Sequence, residues 1–318
     1  MSYSDDVVNV GTVTVTIKGI GNYTGEFTKT YEITPREYTV TTDGAEKVYD
    51  GNPLTAGGRV NNLAKDETVI LTVTGTQTNV GSSDNTYTLK WEGTAKASNY
   101  THGKDSIGTL TVTAKPINPS DTNGIAVRNP LNSIYDGKVH RNTPFVEDKK
   151  TNATLEENTD YTLTHTGDLV NVGTVKVTVT GKGNYQGSFE LSYQITKRKV
   201  TLTSASDEKV YDGNPLTNSK VTVGELGFAE KEGATYSVTG TITDVGTKNN
   251  TFTYTLNEGT LASNYEIETH EGTLEVTPVT DKVTVKISGN TDTVTYDGNP
   301  HSVEGYEVKE ISNPLYKH

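Results

Sequence analysis

The sequence predicts an all-β chain of tandem small antiparallel β-sandwich modules, immunoglobulin-like in type, arranged end to end as an elongated rod. Three observations predict it. Segments such as GTVTVTIKG (11–19), VILTVTGT (69–76), TVKVTVTG (174–181), SFELSYQIT (188–196) and GTLEVT (272–277) alternate β-branched or aromatic residues with polar ones, which sends one face inward and the other to water. The punctuation between them is Asp-Gly, Gly-Asn, Asn-Pro and Val-Gly, residues that tolerate positive φ or pre-set a turn. Finally, the chain repeats itself. KVYDGNPLT occupies 47–55 and returns at 209–217, and NVGTVTVTIKGIGNY at 9–23 returns as NVGTVKVTVTGKGNY at 171–185, as a chain made by duplicating one structural unit would.

A shorter period lies inside the long one. Tyr-Asp-Gly occurs at Tyr49-Asp50-Gly51, Tyr135-Asp136-Gly137, Tyr211-Asp212-Gly213 and Tyr296-Asp297-Gly298, so the module is about 80 residues, within the ordinary range for a small domain. Two types alternate. The first opens on V-Y-D-G-N-P-L and closes through A-S-N-Y to G-T-L-x-V-T; the second opens on Y-D-G and closes through N-V-G-T-V-x-V-T to G-x-G-N-Y and a Y-x-I-T strand. The divisions are therefore 1–36, the back half of a second-type repeat; 37–115, first type; 116–199, second type; 200–279, first type; and 280–318, the front half of a second-type repeat. Each Y-D-G reads as a corner, in which Asp bonds the backbone ahead, Gly takes φ > 0 and Pro53 or Pro215 then forbids ladder pairing. The tyrosine is expected to cover the end of its own module. No stretch carries a helical stripe, and 226–234 has room for one short turn.

The junctions Ile33-Thr34-Pro35-Arg36-Glu37, Ala114-Lys115-Pro116, Ile195-Thr196-Lys197-Arg198-Lys199 and Val276-Thr277-Pro278-Val279 contain no Gly/Ser linker, so neighbouring repeats of the same chain are expected to stack stiffly. The cut ends, 280–318 and 1–36, are complementary halves of one module, each with an unpaired sheet edge, and head-to-tail self-association is expected from them.

Composition narrows the function. The net charge of −12 is spread along the chain, which argues against nucleic acid, whose phosphates need a concentrated basic face, and against an anionic membrane surface. Absence of cysteine removes disulfides, thiolate metal sites and cysteine nucleophiles. No apolar run is long enough to span a bilayer, and MSYSDDVVNV has neither the basic nor the apolar region of a secretion signal, so any signal is expected to lie outside this chain, with Met1 an expression start inside a longer protein.

The V-Y-D-G-N-P-L opening, the N-V-G-T-V-x-V-T and G-x-G-N-Y pairs and the T-[PK]-[VR] junctions resemble the MBG and YDG repeats of bacterial cell-surface proteins, and the resemblance covers essentially all of 1–318. It implies immunoglobulin-like modules in a secreted, wall-anchored Gram-positive adhesin, where they form a stalk that projects a binding domain; the alternative it allows is that the repeats themselves bind a host glycan or protein. The sequence has no L-P-x-T-G sorting motif and no distinct tip domain, which suits an internal fragment.

Chemistry is sparse. His102, His140, His165, His270, His301 and His318 show no H-x-x-H or H-E-x-x-H spacing. Calcium would need several oxygens in one loop; the dense candidates are Ser2-Tyr3-Ser4-Asp5-Asp6 and Glu156-Glu157-Asn158-Thr159-Asp160, neither with a calcium-loop pattern. No cofactor is expected. Gly181-Lys182-Gly183-Asn184-Tyr185-Gln186-Gly187 is followed by a strand and so reads as a hairpin turn rather than a phosphate loop. The acids sit in repeated turns, which argues against an enzyme. Tyr23, Tyr100, Tyr185 and Tyr265 all follow Asn and could stack on a sugar, although recurrence favours packing. Trp91, the single Trp, has no counterpart in the second copy and is the candidate for a private ligand contact. No intramolecular crosslink is expected: one would need a buried Lys, an Asn and an acid on facing strands, which sequence does not show, or a Thr and a Gln, and Gln occurs only at 77, 186 and 194.

Overall fold

The computed structural model describes all residues except Asp5, Glu225 and His318. The chain is built almost wholly of short strands in many small sheets. Its helical residues, among those described, are two 3-10 turns at Ala97–Asn99 and Ala262–Asn264, and 226–234 is turn and irregular chain. The residues divide into two units, one of Met1–Leu131, Asn142–Thr166 and Lys176–Tyr193, the other of Asn132–Arg141, Gly167–Val175 and Gln194–His318. The division runs through 116–199 rather than through a repeat junction.

In the first unit, strand Arg36–Thr42 lies between Tyr100–His102, to which it is parallel, and Gly58–Asn61, to which it is antiparallel. A second sheet sets Thr109–Thr113 parallel to Ala45–Val48 and antiparallel to Gly81–Asp84, and Ile70–Val73 forms a hairpin with Tyr87–Lys90. The sheets are therefore mixed. A strand that opens a module runs in the same direction as those that close it, and the residues between supply the long crossover that parallel pairing needs. Period-two burial appears as read: in Arg36–Thr42, Tyr38, Val40 and Thr42 are buried and the residues between them are not. Tyr38, Val40, Ala95 and Tyr100 form the core, closed by Leu63, Leu71, Leu89 and Trp91. A second core gathers Ile117, Ile125, Val146, Leu155, Tyr161, Val179 and Tyr185. Val175, Val177 and Val179 on strand Gly173–Gly181 are fully buried, and each such side chain contributes about 1.5–3 kcal/mol. Near the N-terminus, Gly11–Lys18 and Glu26–Ile33 make a hairpin that runs from Gly11 paired with Ile33 to Lys18 paired with Glu26.

The second unit repeats the pattern. Arg198–Ser204 is parallel to Tyr265–His270 and antiparallel to Val221–Val223; Gly272–Thr277 is parallel to Asp207–Val210 and antiparallel to Gly246–Asn250; Ala234–Val238 pairs with Phe252–Leu256. Toward the C-terminus Val285–Gly289 pairs with Tyr306–Ile311 across one bulge.

A buried asparagine braces each first-type module. Asn85 Nδ2 donates to the carbonyls of Asp43 (2.9 Å) and Gly57 (3.2 Å), and Asn250 Nδ2 to those of Ala205 and Asn218, both at 2.9 Å. Each tethers the loops at the far ends of two strands and is wholly buried. Close approach of the facing backbone makes glycine obligatory at Gly75 and Gly240: a Cβ there would lie 2.5 Å from Asn85 Cα and 2.3 Å from Asn250 Oδ1. Gly240→Ala is therefore expected to destabilise the second unit by about 1–3 kcal/mol through overpacking, seen as a lower melting temperature, whereas Gly289→Ala, where an added Cβ meets nothing within 4 Å, should leave that transition within about 0.5 kcal/mol of its position.

Candidate functional site

The residues singled out in the sequence converge on the module junctions. Each Tyr-Asp-Gly forms the same corner: Gly51, Gly137, Gly213 and Gly298 have φ of 78°, 78°, 76° and 81°, and the aspartate accepts the backbone N–H two residues on, Asp50 from Asn52, Asp136 from Lys138, Asp212 from Asn214 and Asp297 from Asn299, at 2.9–3.0 Å. The two module types brace the corner differently. In the first type a lysine three residues earlier reaches over it, Lys47 to Asp50 (2.5 Å) and Lys209 to Asp212 (2.7 Å). In the second a histidine four residues later takes that place, His140 against Asp136 (3.0 Å) and His301 against Asp297 (2.8 Å). Side-chain donation from Lys47 and the Asn52 N–H hold the Asp50 carboxyl below its usual range, and Lys209 with Asn214 does the same for Asp212. These acids are committed to their own turns.

Tyr211 packs on Leu216, Leu274 and Val276 of its own module, as expected, but Tyr49 and Tyr135 reach into the next repeat. In the first unit Tyr49 meets Tyr185 of the following repeat edge to face, ring centroids 5.7 Å apart; in the second, Tyr135 meets Tyr265 of the following repeat in the same way at 5.5 Å. Aromatic faces this large gain more from a neighbour's ring than from a thin module end. Tyr100, Tyr185 and Tyr265 are all buried, which removes them as a sugar platform; Tyr23 alone of the four Asn-Tyr rings is exposed, at 79%.

The asparagine before each of these tyrosines makes a second exchange that the sequence reading missed. Asn99 Oδ1 accepts the Val10 N–H (3.0 Å) while its Nδ2 donates to Asn9 Oδ1 (2.9 Å). Asn184 treats Val80 and Asn79 identically (2.9 and 3.1 Å), and Asn264 does so with Val172 and Asn171 (3.0 and 2.8 Å). Both ends of one amide are satisfied by the preceding repeat's Asn-Val-Gly. Recurrence of Asn-Val-Gly and Asn-Tyr at matched offsets was the available signal. Pairing them was not legible, because the partners lie 89 to 105 residues apart.

A carboxylate sits under each of the three buried Asn-Tyr rings. Tyr100 donates to Glu67 Oε2, Tyr265 to Glu232 Oε2 (2.8 Å) and Tyr185 to Asp148 Oδ2 (3.0 Å). Glu232 also accepts from Tyr135 at Oε1 (2.5 Å), so one acid serves two repeats. Burial, with the neighbouring carboxylate, pushes the Tyr185 and Tyr135 hydroxyls above their ordinary values. Asp148 is matched by Lys115, whose Nζ lies 2.6 Å from both oxygens with both side chains almost wholly buried. Burial raises the Asp148 carboxyl, but Lys115, the Lys150 N–H and Tyr185 outweigh it and leave it below its usual value. The pair is a buried Lys and acid on facing segments, an arrangement the sequence could not place. Its donors favour the carboxylate over the neutral acid that amide condensation would need, so the intact mass should equal the sequence mass, with no water lost.

Trp91 is half-buried in the first-unit core, 5.2 Å from Tyr38 and 5.3 Å from Tyr100. It lacks a counterpart for a packing reason. The second copy has Leu256 in its place, and Phe228, where the first has Leu63, packs on Tyr265 at 5.1 Å: the large ring stands at a different position around the same tyrosine. That exchange gives Trp91 a packing role in the first-unit core. For calcium, Asp6 is engaged with the Val8 and Asn9 N–H groups and the Asn9 amide, Asp160 Oδ2 accepts the Glu156 N–H, and Asp5 lies outside the described residues, as does His318. Among the described residues no three His, Asp or Glu side chains are grouped to hold a metal ion. The 181–187 segment is a hairpin turn closed by the Gly181 N–H to the Gly187 carbonyl (2.9 Å).

No protein-family model matches the chain, and no curated protein does. Among solved structures, the chain is similar to the N-terminal eight Ig domains of Down Syndrome Cell Adhesion Molecule isoform 1.30.30, at 12% identity over 88% of this chain and 45% of that one, with a TM-score of 0.15. The chain thus spans under half of that structure, and at this TM-score the two do not superpose as wholes.

Two outcomes follow from this geometry. Lys115→Met strands a buried carboxylate and should cost about 3–5 kcal/mol, with much of the loss recovered in Lys115→Met/Asp148→Leu; because the folded Asp148 value lies below the unfolded one, the pair's contribution is present above the ordinary aspartate range and lost as pH falls through the folded value, so the wild-type and double-variant melting temperatures should converge in acid. Asn264→Ala removes two partly buried hydrogen bonds between repeats and should cost about 1–3 kcal/mol, read as faster amide exchange at Val172.

Proposed function

We propose that the chain is a non-catalytic spacer segment of a bacterial cell-surface protein, a stalk whose repeats hold a binding domain away from the wall. The observation that carries this reading is the repeated junction: at three successive boundaries the same asparagine closes on the preceding Asn-Val-Gly, and at two of them tyrosine rings interlock as well. A boundary fixed by side-chain exchange rather than by a flexible linker transmits reach. The turn acids, each engaged in its own corner, support the non-enzymatic reading, and the resemblance to surface repeats supports an extracellular, wall-anchored setting through regions beyond this segment.

Binding of a host glycan or protein by the repeats themselves is the competing function. In the parent protein, deletion of residues 38–199, one pair of repeats, should shorten reach and leave ligand affinity unchanged; a fall in avidity would instead make the repeats the binding surface. Small-angle scattering of this chain, at dilutions where the mass is that of one molecule, should give a radius of gyration well above the ~20 Å of a compact body of this length, and a compact value would remove the spacer reading.

A further inference from the structure

We propose that the repeats are built to bear tension: in each first-type module the opening and closing segments form a parallel clamp that a pull along the chain loads in shear. Force passing through a chain enters a module at its first strand and leaves at its last. Where those strands are parallel neighbours, the pull drives them past one another along their length, and the hydrogen bonds between them must give together. Antiparallel neighbours, whose entry and exit lie at the same end of the pair, would be peeled apart one bond at a time. The inference takes its setting from the spacer reading, but the loading geometry belongs to each module by itself.

Both first-type modules run this clamp through two sheets in succession. In the second unit, Arg198 to Thr203 lie opposite Tyr265 to His270, and then Asp207 to Val210 lie opposite Leu274 to Thr277, all parallel. The step from one sheet to the other is fastened as well. Ser204 Oγ accepts the Gly272 N–H and Ser206 Oγ the Thr273 N–H, both at 3.0 Å. The backbones pass so closely there that a Cβ on Gly272 would lie 2.5 Å from the Ala205 carbonyl carbon. At the far end the Tyr211 N–H donates to the Thr277 carbonyl (2.9 Å). The two segments therefore stay side by side from the entry of the module to its exit.

The first unit has the same clamp with one break, and a side chain fills it. Arg36 to Tyr38 lie opposite Tyr100 to His102, and Ala45 to Val48 opposite Leu110 to Thr113. Between these runs the closing segment leaves the ladder over 103–105 and rejoins it where Ser106 faces Thr41. The Val40 N–H therefore donates to the Asp105 carboxylate (Oδ1, 2.7 Å) where a carbonyl would serve in an unbroken ladder. Tyr87 donates to the other oxygen (2.5 Å), and His102, stacked on Tyr38 with ring centroids 4.7 Å apart, lies 2.9 Å from Oδ1. The second copy reads YEIETHEGTL where the first reads YTHGKDSIGTL, one residue shorter, and its Leu202 lies opposite Thr269 with no interruption. An Asp, His and Tyr gathered in one repeat alone thus have a shared task, to carry the clamp across an inserted residue.

The chain has no cysteine, so a pair introduced at exposed positions gives two defined handles for single-molecule pulling of the full chain. Lys199→Cys with Glu275→Cys loads the second-unit clamp in shear, and Lys199→Cys with Glu266→Cys peels the same two segments from one end. Rupture force reports the unfolding barrier along the direction pulled rather than equilibrium stability, and the module is the same in both. The shear pair should rupture at several-fold the force of the peeling pair. In the first unit, with Glu37→Cys and Thr111→Cys as handles, Asp105→Ala should lower the shear force, whereas Asp105→Asn, which keeps an acceptor for the Val40 N–H, should retain most of it. The clamp and the spacer reading fail separately, since a compact scattering result removes the spacer alone. Equal forces for the shear and peeling pairs would overturn the clamp, and a first-unit shear force unmoved by Asp105→Ala would overturn the part given to Asp105.

Discussion

Everything else in this molecule depends on one constraint: a repeat of about 80 residues with a thin core cannot bury its own ends. Tyr49 and Tyr135 lie at such ends, and the structure resolves the problem by giving each a ring from the next repeat. The asparagine beside that ring then fastens the preceding Asn-Val-Gly through both amide groups. An aromatic contact alone is tolerant of rotation; two hydrogen bonds from a planar amide are not. Apolar area and polar direction thus come from adjacent residues, and the Asn-Tyr dipeptide recurs because both are needed at one place.

Parallel pairing has the same origin. Arg36–Thr42 and Arg198–Ser204 each pair with a strand that begins at the Asn-Tyr tyrosine, Tyr100 or Tyr265. The opening strand of a module is therefore held by the segment that contacts the previous module. Loss of a junction contact acts directly on a strand pairing, so boundary and core are parts of one cooperative element rather than a domain and a linker.

Much of this was legible from sequence. Alternation located strands such as Gly173–Gly181 and Ser188–Thr196, and the Asp-Gly corners were readable because only a few residue types supply their φ values and side-chain acceptors. What escaped reading was everything that depends on which surfaces face each other. Trp91 looked solitary because its compensating partner, the exchange of Leu63 for Phe228, lies in a loop some 28 residues earlier in the chain. Lys115 and Asp148, 33 residues apart, carry no local pattern. The 3-10 turns at Ala97–Asn99 and Ala262–Asn264 are one turn long, too short for any periodicity to register. Strand direction, too, was assigned antiparallel throughout because alternation is the same for either sense of pairing.

The long period of 162 residues also has a physical account. Two kinds of boundary alternate, distinguished by how the acid beneath the Asn-Tyr ring is neutralised. Where a second-type module follows a first-type one, Asp148 is held by its own module's Lys115 and Tyr185, and the preceding Tyr49 supplies only its ring. Where a first-type module follows a second-type one, Glu232 has no such lysine bond and accepts hydroxyls from Tyr265 and from Tyr135 of the repeat before it. The first arrangement is complete without its neighbour and the second is not. Exchanging one type for the other at a single position would leave either a buried acid short of a donor or a tyrosine without its acceptor, each a costly unsatisfied group. Duplication that preserves both boundaries must copy the pair, which is why KVYDGNPLT returns after two modules and not after one.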